Sequence, residues 1–76
     1  MSKWAEIKND YCNDEGYVCI DAWLTNDDNE EGKVIAFVNI KTKEVAYVDN
    51  MARMDSYAQR VIEETIKNIE NGKYNK

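Results

Sequence analysis

The stretch from Lys33 to Asp49 most constrains the fold, because it has the pattern of two strands joined by a tight turn. Residues 33–40 and 44–49 are rich in β-branched and aromatic side chains, which favour a pleated, half-buried surface. Residues 41–43 predict a three-residue hairpin loop, with Lys43 in the left-handed conformation. The loop predicts these cross-strand pairs: Ile40 with Glu44, Val38 with Ala46 and Ala36 with Val48.

Two apolar faces follow from this register, because successive side chains of a strand point to opposite sides. One predicted face holds Val34, Ala36, Val38, Ile40, Ala46 and Val48. The other holds Ile35, Phe37, Val45 and Tyr47, with Asn39 and Asp49. An antiparallel sheet with one wet face alternates apolar and polar residues, so this hairpin predicts that both sides are covered. The alternative is that the aromatic side chains lie on an ordinary surface, much of which is apolar in any protein.

The remaining elements complete one small α+β domain over residues 1–76. Residues 4–11 and 17–24 are candidate strands, separated by a turn in which Gly16 can adopt a left-handed conformation. Asp49 or Asn50 can cap a short helical turn after the fourth strand. A helix over 55–71 follows, with Asp55 or Ser56 as N-cap and Gly72 after its end. The predicted architecture is a four-stranded antiparallel meander followed by one amphipathic helix.

The helix carries a single apolar stripe, which is typical of packing on the protein's own sheet. The stripe consists of Ala58, Val61, Ile62, Thr65, Ile66 and Ile69. Its polar face is not strongly basic, which argues against membrane binding.

One helix can cover only one sheet face, and an uncovered apolar face marks an interaction site. The predicted interaction face consists of Tyr17, Trp23, Ile35, Phe37, Val45 and Tyr47. For a short chain the simplest partner is a second copy, through a two-fold interface. The first hypothesis is therefore a small acidic homodimer that acts as a binding or regulatory module.

Charge is unevenly distributed along the chain, whose net charge is −5. Residues 1–32 carry nine acidic and two basic residues, whereas residues 33–76 carry six acidic and eight basic residues. The acidic half argues against general nucleic-acid affinity. It suits a basic protein partner, or serves solubility alone. A further hypothesis is a nucleic-acid mimic whose contacts are Asp10, Asp14, Glu15, Asp27, Asp28, Glu30 and Glu31.

The acidic loop formed by Asp27, Asp28, Glu30 and Glu31 starts like a calcium-binding loop, with oxygens at positions 27, 29 and 31 and then Gly32. The pattern then fails, because Val38 stands where a bidentate Glu is needed. We expect a solvated hairpin tip and no metal site.

Catalysis and cofactors are not expected. The chain has no His, and no Ser or Cys has an evident base beside it. Cys12 and Cys19 make a poor metal site and are interpreted as reduced, partly buried thiols of a cytoplasmic protein; a disulfide across the hairpin is the less favoured alternative. The N-terminal residues lack the apolar core of a signal peptide, and no run is long enough to span a membrane.

The order of four strands and one helix over about residues 4–70, with a Trp-bearing strand, resembles a single-stranded-DNA-binding transcriptional coactivator fold. The resemblance rests on element order. It implies a dimer that binds single strands on its sheet surface, where aromatic side chains stack on bases.

Overall fold

The computed structural model describes residues 3–11, 16–26, 29 and 31–74, with no side-chain description for Asp10 and Tyr11. Its strands are β1 (Glu6–Tyr11), β2 (Tyr17–Trp23), β3 (Lys33–Asn39) and β4 (Val45–Tyr47). They form one antiparallel sheet in the order β1-β2-β3-β4. A 3₁₀ turn (Asn50–Arg53) and the helix α1 (Ser56–Glu70) follow. The predicted α+β order of four strands and one helix is confirmed.

The last strand is shorter than predicted, because the chain leaves the sheet after Tyr47. The amides of Val48 and Asp49 both donate to the carbonyl of Ile35, at 2.8 and 3.1 Å. The Asp49 carboxylate then accepts a hydrogen bond from the Met51 amide at 2.9 Å and caps the 3₁₀ turn. The predicted cap at this turn is confirmed, and the predicted strand limit of 49 is wrong.

Helix α1 begins and ends where its capping residues predict. The Asp55 side chain accepts a hydrogen bond from the Ala58 amide at 3.0 Å, and Gly72 follows the helix with φ 79°. The buried helix residues are Ala58, Val61, Ile62, Thr65 and Ile69. The predicted apolar stripe is confirmed, and it faces the sheet.

Two polar contacts fix the helix against the edge strand β1. The Asn9 side-chain amide donates to Thr65 Oγ1 at 2.7 Å, and the Thr65 hydroxyl donates to the Val61 carbonyl at 2.8 Å. The Ile7 amide donates to the Tyr57 hydroxyl at 3.2 Å. Since Thr65 is fully buried, its hydrogen bonds hold α1 in one position on the sheet.

The hairpin register differs from the predicted one by a single residue. Val38 pairs with Val45 and Ala36 pairs with Tyr47. The loop is longer because the Asn39 carboxamide oxygen accepts the amides of Lys41 and Thr42, at 2.8 and 3.2 Å. Lys43 has φ 65°, so its predicted left-handed conformation is confirmed although the predicted pairing is wrong.

A β-bulge in β3 adds a second change of register. Ile20 pairs with Ala36, whereas its neighbour Asp21 pairs with Val34, which leaves Ile35 without a direct partner. Ile35 and Ala36 are both fully buried. The extra residue of a bulge shifts the alternation of the strand, so Val34 shares a face with Asp21 and its predicted place beside Ala36 and Val38 is wrong.

Candidate interaction face

The side of the sheet opposite α1 carries a row of half-buried aromatic residues. Directly paired residues of an antiparallel sheet share a face, so the pairing places Tyr17, Trp23 and Phe37 on the same side. We define the outer face by its described side chains: Glu6, Lys8, Tyr17, Cys19, Asp21, Trp23, Val34, Phe37, Asn39 and Ala46. Most are only half-buried, because the helix stripe packs on the other side of the sheet.

Three residues of the predicted interaction face lie elsewhere. Ile35 is in the core because of the bulge. Val45 and Tyr47 pack against the core on the helix side, because a register shift of one residue exchanges the two faces of a strand. The Tyr47 hydroxyl accepts a hydrogen bond from the Gln59 side-chain amide at 2.9 Å, which confirms its position beside α1. Placement of these three residues on the aromatic face is therefore wrong.

The retained aromatic residues contact defined neighbours. The Tyr17 and Phe37 rings meet edge to face, with centroids 6.3 Å apart and planes at 77°. The ammonium of Lys8 lies 5.6 Å from the centroid of the Trp23 ring. The indole also approaches Gly32, where an added Cβ would be 2.5 Å from Cε2 and Cζ2 of Trp23. These contacts hold the rings in place before any partner binds, which reduces the entropy cost of association.

A polar border follows β1. Lys8 Nζ lies 3.3 Å from a carboxylate oxygen of Glu6, and Lys8 pairs in register with Asp21. The border thus presents neighbouring charges of both signs. Such a border is self-complementary, because a second copy turned through 180° can offer a carboxylate to each ammonium.

Cys19 is the most deeply buried side chain of the outer face, with 5% of its surface exposed. It lies on the inner strand β2, opposite Phe37 in register. Cys19 is disulfide-bonded, so the interpretation of this residue as a reduced thiol is wrong. The sequence has one other cysteine, Cys12, which lies outside the described residues.

Of the four acidic residues of the loop, one lies in the described part of the chain. Asp27, Asp28 and Glu30 lie outside the described residues, and Glu31 is exposed. Of the other residues of the mimic hypothesis, Asp14 and Glu15 also lie outside the described part. Within the described ranges, no three His, Cys, Asp or Glu side chains cluster as metal ligands. Among the described residues there is also no helix with the length and apolar character needed to cross a membrane.

One end of the sheet carries a feature that sequence reasoning missed. In the described part of the chain, the exposed large apolar side chains are Leu24, Val48, Met51 and Met54. Leu24 follows β2 and Val48 follows β4, so both leave the same end of the antiparallel sheet. They lie on irregular segments whose spacing follows neither a helical nor a strand period, which is why no pattern indicated them.

Asp49 joins two lysines at this end of the sheet. Its carboxylate lies 3.8 Å from the ammonium of Lys3 and 3.5 Å from that of Lys33. The Met51 amide, followed by the two lysines, holds the pKa of the Asp49 carboxyl below its ordinary value of 3.8, although desolvation acts in the opposite direction. An open pocket of about 240 Å³ beside these lysines also includes Glu31. Because the lysines are balanced by Asp49 and Glu31, the pocket favours no charged ligand.

Comparison with known protein families, with curated proteins and with solved structures found no significant match to this chain. The fold is therefore described by its architecture alone, as a four-stranded antiparallel sheet with one C-terminal helix. The resemblance to a single-stranded-DNA-binding coactivator fold gains no support from these comparisons.

Proposed function

We propose that the protein is a small, non-catalytic binding module that works as a homodimer, with the outer face as its two-fold interface. The observation that carries the proposal is the aromatic row of Tyr17, Trp23 and Phe37 on the sheet side opposite α1. Aromatic side chains are enriched at the centres of interfaces, where they combine a large apolar area with few rotatable bonds.

Chain length supports the same conclusion. A chain of 76 residues buries only roughly 60% of its unfolded surface and gains stability from oligomerisation. A standard interface buries about 800 Å² per partner. That area is roughly 15% of the 5300 Å² accessible surface of this chain. One face of a small sheet, with its polar border, offers an area of this order.

The outer face is favoured over the exposed apolar end of the sheet for a structural reason. Its rings lie on regular strands and touch each other or their neighbours, whereas Met51 and Met54 lie on a 3₁₀ turn and the connection after it. Interfaces built on rigid elements lose less entropy on binding. The hypotheses of single-strand binding and of nucleic-acid mimicry, and the cytoplasmic location, remain predictions.

The test is the molar mass in solution, measured by light scattering on a sizing column over a range of protein and salt concentrations. We expect a mass near twice the 8.9 kDa of the chain. The variant Phe37→Thr keeps a strand-forming residue but removes the ring, and it should raise the dissociation constant at least about tenfold. Far-UV circular dichroism verifies that the variant is folded.

Met54→Thr is the matched control, because Met54 is 88% exposed and lies outside the outer face. It removes a large apolar side chain from the sheet end, and the dimer should persist. A single-chain mass at the highest concentration would refute the proposal. Dissociation by Met54→Thr with a stable Phe37→Thr dimer would place the interface at the sheet end and also refute it.

A further inference from the structure

The sheet has two edge strands, and one of them is engaged by the protein's own helix. On β1, the Ile7 amide donates to the Tyr57 hydroxyl of α1 at 3.2 Å. The Asn9 side chain of the same strand donates to Thr65 of α1. A further strand that paired with β1 would have to displace the Tyr57 contact, so this edge is closed.

The other edge strand, β4, is hydrogen-bonded to β3 by alternate residues. Before β4, the Asn39 amide donates to the Glu44 carbonyl at 2.8 Å. After β4, the Val48 amide donates to the Ile35 carbonyl at 2.8 Å. In an antiparallel pair, residues that bond the neighbouring strand alternate with residues whose N–H and C=O groups point away from it. Between these two flanking bonds, the residue of β4 that bonds β3 is therefore the middle one, Ala46.

The backbone groups of Val45 and Tyr47 consequently point to the open edge of the sheet. No hydrogen bond between described residues uses the N–H or C=O group of either. None of the three residues of β4 is buried, so the described part of the chain does not cover this edge. An uncovered edge of this kind is a template for another strand, to which it offers two donors and two acceptors.

The loop end of the β4 edge is predominantly basic. Lys41 and Lys43 lie in the hairpin loop before β4, and Glu44 is its one acidic residue. Lys43 Nζ lies 4.0 Å from a carboxylate oxygen of Glu70, and both side chains are about half exposed, so this ion pair is weak. No ion pair between described residues includes Lys41.

The other end of the β4 edge carries Arg53, which ends the 3₁₀ turn after the strand. Its guanidinium lies 4.8 Å from the centroid of the Tyr47 ring, on the helix side of the sheet. Among the described residues, no carboxylate lies within 4 Å of this guanidinium. A guanidinium presents a planar fork of donors that matches the geometry of a carboxylate. Arg53 is therefore placed to bind an acidic side chain of an added strand.

We propose that β4 binds an extended acidic peptide, which joins the sheet as a fifth strand. Its carboxylates lie on the helix side, near Arg53, and alternate with β-branched side chains beside Ala46. In strand addition the main-chain hydrogen bonds give affinity, and the alternate side chains give specificity. The inference rests on the proposed role as a binding module but not on dimerisation, because the peptide lies beside the sheet and the dimer packs on its outer face.

A second copy of the chain fits this edge less well than an acidic peptide does. Two β4 strands paired about a two-fold axis would bring the lysines of each loop next to Arg53 of the other copy, and like charges oppose such pairing. The net charge of −5 does not prevent the binding of an acidic peptide, because residues 33–76 carry eight basic and six acidic residues. At physiological salt, charges more than about 8 Å away are largely screened, so the local basic groups decide.

The probe is the peptide Glu-Val-Glu-Val-Glu-Val-Glu, with blocked termini and a fluorescent label, titrated with the full chain while its anisotropy is measured. We expect saturable binding, and binding at least about tenfold weaker when lysine replaces each glutamate. Arg53→Glu should raise the dissociation constant of the acidic peptide at least about tenfold. The matched control is Arg60→Glu, which makes the same charge change at an exposed residue of α1 opposite its buried stripe and should change binding little. Circular dichroism verifies that both variants are folded.

Two N-methylated forms of the peptide test strand addition itself. Successive amides of a strand point to opposite sides, so the glutamate amides face one way and the valine amides the other. In an antiparallel addition, the glutamates lie opposite Val45 and Tyr47 and their amides face β4. Methylation of the glutamate amides should abolish binding, and methylation of the valine amides should spare it. The reverse order would show a parallel addition at the same edge, which also supports the proposal.

The remaining outcomes overturn the proposal. They are an absence of saturable binding, equal binding of the lysine peptide, equal binding of the two methylated peptides, and a folded Arg53→Glu protein that binds like the wild type. The peptide comparisons decide the matter even if Arg53→Glu does not fold. Light scattering with and without peptide separates this result from dimerisation. Peptide binding to a single chain refutes the homodimer alone, whereas a peptide that splits the dimer would place the second copy on β4 and overturn this proposal.

Discussion

Gly32→Ala should displace Trp23 and weaken both the fold and the outer face. An added Cβ at position 32 meets Cε2 and Cζ2 of the indole at 2.5 Å, whereas ordinary contact begins at 3.4 Å. The ring must therefore retreat by about 0.9 Å, the difference between these two distances. The retreat moves it relative to Lys8, whose ammonium lies 5.6 Å from the ring centroid.

Two opposing effects set the change in the free energy of unfolding. Replacing Gly by Ala lowers the entropy of the unfolded chain, which stabilises the folded protein by about 0.4–1 kcal/mol. Forcing an extra methyl group against a packed ring costs about 1–3 kcal/mol. We expect net destabilisation of about 1–2 kcal/mol, which corresponds to a fall in melting temperature of roughly 4–16 °C for a chain of this size.

Urea unfolding at a fixed protein concentration measures the stability, and tryptophan emission reports the ring. Gly16→Ala is the matched control, because its Cβ meets nothing within 4 Å but its φ of 86° is strained for alanine. It should lose about 1–2 kcal/mol through the left-handed backbone. Only Gly32→Ala should shift the emission of the folded protein. A Gly32→Ala protein as stable as the wild type would refute the close approach, and equal emission changes in both variants would show a global effect.

Three further predictions follow from single contacts. Lys43→Gly should stabilise the fold by about 1 kcal/mol in thermal unfolding, because glycine adopts the φ of 65° without a Cβ penalty; unchanged stability would contradict strain at this position. Asn9→Ala should lower the free energy of unfolding in urea by about 1 kcal/mol, because it removes the donor to buried Thr65. The double variant Asn9→Ala/Thr65→Val should lose less stability than the sum of the losses of the two single variants. Strictly additive losses would show that the hydrogen bond contributes nothing. The hydrogen bond from the Met51 amide is the main cause of the lowered pKa of Asp49, so the ionised carboxylate stabilises the fold above about pH 4, and this contribution is lost as the pH falls through the lowered pKa. Asp49→Asn should therefore weaken the dependence of the free energy of unfolding on pH in the acid range, and a variant with the wild-type dependence would refute this prediction.

Local patterns determined the elements and their order. The three- and four-residue spacing of the helix stripe, from Ala58 to Ile69, predicts α1 and its buried side because helical geometry places such residues on one face. Asp55 and Gly72 mark its ends through short-range hydrogen bonding and backbone freedom. The left-handed conformation of Lys43 likewise follows from the turn itself. These features depend on residues close together in the chain, so the sequence alone predicts them.

The membership of the outer face depended on the tertiary structure. Tyr17, Trp23 and Phe37 were placed correctly, because the alternation along β2 and the first part of the hairpin sufficed. Val45 and Tyr47 were placed on the wrong side, because the Asn39 side chain lengthens the turn by one residue. Ile35 entered the core through a bulge that no local pattern indicates.

The physical reason is the two-residue period of a strand. A shift of one residue costs little in local conformation but exchanges every side chain between the two faces. When both faces are apolar, hydrophobicity alone does not choose between the two registers. Packing against α1 makes that choice: the Gln59 side chain bonds the Tyr47 hydroxyl, and buried Thr65 joins the helix to Asn9. The sequence alone therefore determined that this protein is a helix on a four-stranded sheet whose central hairpin is apolar on both sides, and the tertiary contacts decided which aromatic side chains lie on the outer face.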